Sequence, residues 1–166
     1  MRFPLALIAT MTVTTASADV TVTFRDGAPK DRFTITQNAP CAMGPATLVL
    51  NLGTAPAGLI FDTTSTGAGV EVFQPFEWVS APNGIDDTPQ VRDGDTVLTL
   101  TLPTLTPDLP LAFTIDLDDT TSDRQITVSG SEVAGAQVTL TAEGQTSAGT
   151  FDQNGVAVIA TSACTS

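Results

Sequence analysis

Four aspartates in the second half of the chain, Asp116, Asp118, Asp119 and Asp123, are the residues most able to do chemistry. Asp116 and Asp118 alternate with Phe113, Ile115 and Leu117, the period-2 pattern of a half-buried strand. On that pattern their carboxylates share the outward face, about 7 Å apart. Asp119 and Asp123 follow in the expected turn. A second cluster, Asp86, Asp87, Asp93 and Asp95, lies in a polar loop that could approach the first. Carboxylates with loop carbonyls and water form the six- to eight-oxygen shell that calcium takes. The chain lacks the EF-hand spacing. The competing reading is a hydrated acidic rim that discourages strand-to-strand aggregation.

The absences narrow the chemistry further. There is no histidine, which removes Ser-His-Asp and Cys-His catalysis and the usual zinc and copper sites. There is no tyrosine, and the single lysine, Lys30, stands in a polar turn. No glycine-rich phosphate loop joins a strand to a helix. Two acids facing across a cleft would suffice for a glycosidase, but aromatic sugar platforms are scarce. The expectation is a protein that is not an enzyme.

Strands must position these acids. Residues 19–25, 31–37, 47–52, 58–62, 70–73 with its continuation 76–79 past a Pro75 that ends or bends it, 96–102, 111–118, 125–129, 136–142 and 155–160 alternate or run apolar between Gly, Pro and Asp turns. The continuous apolar run in 47–52 suggests burial on both faces. Trp78 reads as a core or edge plug, and 80–95 as the longest unpatterned loop. With no 3.6-residue stripe, at most one helical turn is expected. The fold expected is an all-β antiparallel β-sandwich of about nine or ten strands, immunoglobulin-like or Greek-key, with a closed barrel as second choice.

Residues 1–18 read as a secretory signal peptide. Arg2 is followed by an apolar stretch over 5–13, and Ala16-Ser17-Ala18 supplies the small-residue cleavage pattern between Ala18 and Asp19. The mature part, 19–166, would be one β-sandwich domain of 166 − 18 = 148 residues. Loss of Arg2 takes the net charge from −12 to −13, which repels nucleic acid and anionic membrane. The apolar run is shorter than the roughly 20 residues a membrane-spanning helix needs. In an exported protein, Cys41 and Cys164 are expected to pair as a disulfide, with two free thiols the alternative.

Several phrases carry a resemblance: Gly27-Ala-Pro-Lys-Asp-Arg-Phe33, Gly67-Ala-Gly-Val-Glu-Val-Phe-Gln-Pro-Phe-Glu77, Phe113-Thr-Ile-Asp-Leu-Asp-Asp-Thr120, Ile126-Thr-Val-Ser129 and Glu132-Val-Ala-Gly-Ala136. Together they resemble small exported bacterial proteins labelled "aggregation factor core", after the sponge proteoglycan of calcium-dependent cell aggregation. The resemblance implies cell-surface or extracellular adhesion with a cell-surface protein or glycan as partner. Within it, Asp116, Asp118 and Asp119 are the matching acids. The alternative expectation is a periplasmic ligand-binding or accessory module using the 80–95 loop. A carbohydrate-active enzyme ranks third.

Overall fold

Alternation of apolar and polar residues builds most of the strands. The computed structural model describes residues 18–69, 72–81, 85, 88–121 and 127–162. β1 (Ala18–Arg25) buries Ala18, Val20, Val22 and Phe24, and β2 (Arg32–Gln37) buries Phe33 and Ile35. β3 (Ala46–Asn51) also alternates, so the expected burial of both its faces is corrected: Thr47 and Val49 are only half-buried. β4 (Leu59–Asp62), β5 (Glu77–Ser80), β6 (Val97–Leu102), β7 (Leu111–Thr114) and β8 (Asp116–Asp119) follow. The chain closes with β9 (Gln137–Ala142), β10 (Gln145–Thr150) and β11 (Val156–Thr161).

Eleven strands therefore stand among the described residues where nine or ten were expected of the chain. β10 is the strand that pattern reading missed, because Gln-Thr-Ser-Ala-Gly-Thr shows no apolar alternation. Its hairpin partner makes it: β9 and β10 pair in register from Gln145↔Ala142 to Thr150↔Gln137. Glu143 and Gly144 turn the chain with φ of 50° and 76°, the left-handed pair that suits a two-residue hairpin. Conversely, the strand expected over 70–73 is not one at Val72 and Phe73, and its first two residues lie outside the described part. Within the expected strand 125–129, residues 127–129 are not extended into a ladder, and residues 125–126 are outside the description. One helical turn, α1 (Gly130–Val133), comes next, entered by a Ser129 N–H that donates to the Glu132 carboxylate at 2.7 Å. A 3₁₀ turn at Leu52–Thr54 is a second short helical piece among the described residues, one more than expected.

The strands form an antiparallel β-sandwich. One sheet runs β11-β1-β2-β7-β5 and the other β10-β9-β3-β6. Their inner faces meet in a core that includes Val20, Phe33, Ile35, Leu48, Leu100 and Ile159. Phe113 stacks on Phe33 at 5.1 Å and on Phe76 at 5.0 Å, while Trp78 meets it edge-on at 5.9 Å. Trp78, half-buried on edge strand β5, is thus the expected edge plug. Among the described residues, no helix is long and apolar enough to cross a membrane. Residues 1–17, Asp86, Asp87, Asp123 and Cys164 lie outside the description, and with them most of the expected signal peptide, three candidate ligands and one disulfide partner. The described fold begins with Ala18 paired opposite Thr161.

One strand changes partners, and the site depends on it. β7 pairs with β2 and β5 as far as Thr114. After the buried Ile115, whose N–H donates to the Asp31 carbonyl at 3.1 Å, the chain continues as β8 and pairs with β4 instead. The single strand expected over 111–118 is therefore two. The alternation of Phe113, Ile115 and Leu117 runs unbroken across the change, so it could not report it.

Candidate metal centre

The β4–β8 ribbon brings acids face to face. Asp62 is directly opposite Asp116, and Ile60 is opposite Asp118. Since side chains alternate, Asp62, Asp116 and Asp118 project from one face of the ribbon. One carboxylate oxygen from each lies within 4.8 Å of the other two. The face is not outward, as the alternation suggested: the three residues are 0%, 2% and 2% exposed. Like charges directly opposite on a ladder destabilise it, and burial removes the water that would screen them.

A loop roofs the acids. Residues 63–69 leave β4 and fold back over its end. A Cβ on Gly69 would strike the Asp62 carboxyl and come to 2.6 Å from Asp118 Oδ2. Asp93 fastens this loop by accepting the N–H groups of Thr63 (2.9 Å), Thr64 (3.2 Å) and Ala68 (2.6 Å). Burial acts to raise the Asp93 pKa, but these donors and the neighbouring Asp62 outweigh it, and the group titrates below the usual carboxylate range.

The Asp62 carboxylate is in the opposite position. Both its oxygens are buried without a hydrogen-bond partner. Its nearest charged neighbours are the Asp93 and Asp118 carboxylates, acceptors facing an acceptor. Burial, followed by those two acids, pushes its pKa well above the usual range. Burial also pushes Asp116 to about 8, with the Asp31 and Asp118 charges adding to it. Asp31, 2% exposed, completes the inner side. It accepts the Gly27 N–H at 3.0 Å and the Leu117 N–H at 3.1 Å. Burial still takes it to about 7.

Only part of the expected ligand set comes together. Asp116 and Asp118 do, and Asp93 of the second cluster reaches the same place beside Asp62. Asp119 belongs to β8 rather than to the turn after it, and alternation sets it on the Leu117 side of the ribbon. There its Oδ1 accepts the Thr121 N–H at 3.2 Å. Asp95 accepts the Arg92 N–H at 2.8 Å within its own turn. Asp86, Asp87 and Asp123 lie outside the described residues. Asp62 and Asp31 were not expected. A hint to Asp62 was present in the likeness of Asp62-Thr-Thr-Ser to Asp119-Thr-Thr-Ser, but the register that opposes it to Asp116 is a tertiary fact.

Three carboxylates with no nitrogen or sulfur donor form a hard-oxygen set, suited to calcium or magnesium rather than zinc or copper. The two orphaned oxygens of Asp62 are what such an ion would satisfy. In its absence, protons must do so. Folded-state pKa values of about 7 for Asp31 and about 8 for Asp116 exceed the ordinary 3.8. The fold therefore favours the protonated acids, and that contribution is full at low pH and lost as pH rises through 7 to 8. In EDTA, the melting midpoint is expected to fall by several degrees between about pH 5 and pH 8. A midpoint that holds or climbs over that interval contradicts the burial of these acids.

Two hollows border the 80–95 segment: one between Trp78, Thr88, Gln90 and Thr99 holds about 110 Å³, and one between Ser80, Ala81, Thr104 and Leu109 holds about 440 Å³. The second falls within the roughly 300–1,000 Å³ of ordinary ligand pockets, the first below it. A cavity of about 340 Å³ opens at another part of the surface, beside Gln37, Cys41, Leu140 and Thr161. No family model, no curated protein and no solved structure matches the chain.

Proposed function

We propose that this is a non-enzymatic, exported β-sandwich module that holds one calcium ion between Asp62, Asp116 and Asp118 and acts in cell-surface or extracellular adhesion. The observation that carries the cation is the fully buried Asp62 carboxylate, unpartnered at both oxygens and set against two further acids. A glycosidase pair must face an open cleft, and acids 0–2% exposed offer no room for a sugar ring. Adhesion to a surface protein or glycan rests on the sequence resemblance to the aggregation factor core proteins. Melting the protein in calcium and in EDTA tests the ion, and a midpoint unmoved at millimolar calcium would remove it from the proposal.

Export carries a second expectation, the Cys41–Cys164 disulfide. Cys41 and Ser162 line the same cavity, and Cys164 follows Ser162 by two residues in the sequence. The closed loop of 164 − 41 = 123 residues would stabilise the fold by roughly 4–5 kcal/mol on the chain-entropy account. Unreduced, denatured protein from an exporting host should take up no iodoacetamide. Two carbamidomethyl groups per chain would show free thiols.

A further inference from the structure

Resting on the cation reading above, we infer that the 63–69 loop is the lid of the ion site, latched by Asp93, and that occupancy of the site sets the order of this surface loop. The loop is held at two places, both tied to the β4–β8 ribbon. One is Asp93, which takes three of its N–H groups. Asp93 itself rides on a turn over 92–95 that is fixed to β4: Gly94 N–H donates to the Phe61 carbonyl and Phe61 N–H to the Asp95 carbonyl, both at 2.9 Å. The latch is therefore anchored to the same strand that ends in Asp62.

The other place is the acid face itself. Gly67 and Gly69 lie where any Cβ would strike a carboxylate, Asp93 for the first, Asp62 and Asp118 for the second. The loop backbone is moulded directly on the acids. With charged acids and no ion, the roof rests on mutually repelling groups. With an ion, those groups are drawn together beneath it. Beyond residues 70–71 the chain returns through the exposed Val72 and Phe73 to Gln74. Gln74 joins both ribbon strands, its carbonyl taking the Asp116 N–H at 3.0 Å and its N–H donating to the Asp62 carbonyl at 3.3 Å. A buried ion is thus mechanically connected to an exposed stretch of surface. The ion is enclosed rather than shared with a partner, so it acts on adhesion by shaping this surface.

Amide hydrogen exchange tests the lid at pH 8. Calcium should slow exchange at Thr63, Thr64 and Ala68 about tenfold or more relative to EDTA, while Gly144 and Asn154, in exposed turns of other strand connections, change far less. Gly69→Ala should retain the sandwich by circular dichroism but bind calcium at least about tenfold more weakly, because the roof can no longer close. Asp93→Asn keeps all three ligands, so calcium should still raise its melting midpoint while the loop amides exchange quickly. If calcium raises the melting midpoint but leaves the loop amides unchanged, or if Gly69→Ala binds like the parent, the lid is wrong and the ion site stands. If calcium changes neither melting nor exchange, the ion site itself fails and the lid falls with it.

Discussion

Replacing Asp62 by Asn is expected to stabilise the protein in EDTA and to abolish its stabilisation by calcium. The two signs have one cause. Without an ion at pH 8, Asp62 is a carboxylate with no hydrogen-bond donor, facing Asp93 and Asp118. Asn removes the repulsion and offers an amide N–H₂ to either neighbour, worth about 1–3 kcal/mol for a buried group. With calcium, the charged form is the useful one. Free ion at about 100 times its Kd stabilises the native state by roughly 2.7 kcal/mol. For a domain of about 150 residues that is roughly 5–10 °C in Tm. The variant should therefore melt above the parent in EDTA and show almost no calcium shift. An Asp62→Asn variant that melts lower in EDTA and keeps the full shift would contradict the assignment of Asp62 as a ligand.

Phe113→Ala should cause the largest loss of stability among single core truncations. The ring is 1% exposed and sits between Phe33 and Phe76, with the Trp78 edge against it. It also occupies the strand just before the chain leaves the large sheet for the ribbon. Truncating a buried Phe costs about 3–5 kcal/mol through lost transfer energy and the cavity left behind. Of a total stability of about 5–15 kcal/mol, that is a large share. Val158→Ala, at a site 52% exposed, should change stability by about 0.5 kcal/mol or less. Urea denaturation of the two variants separates these outcomes, and equal midpoints would mean that Phe113 is not central to the core.

The strands with strict alternation were legible because one face of each meets the core. β1, β2, β6 and β9 lie within a residue or two of where the pattern puts them. β10 was not legible, since an edge strand with polar side chains is formed by its partner and by the Glu143-Gly144 turn. The acid site divides along the same line. That Asp116 and Asp118 share a face follows from period 2. That the face is roofed depends on the 63–69 loop, and that Asp62 opposes it depends on the switch of pairing after Ile115. Both are contacts between segments far apart in the chain, and hydrophobic periodicity carries no information about them. The role of Asp93 as a latch depends likewise on backbone N–H groups that no side-chain pattern records.

Isothermal titration of the metal-stripped protein with calcium at pH 7 tests the central claim most directly. One ion should bind per chain, and the heat should vary with the ionisation enthalpy of the buffer, because acids that titrate near 7 to 8 must release protons to the solution as the ion enters. Asp62→Asn should abolish the binding isotherm. Absence of binding up to millimolar calcium, or an isotherm that survives unchanged in Asp62→Asn, would contradict a cation centre between Asp62, Asp116 and Asp118.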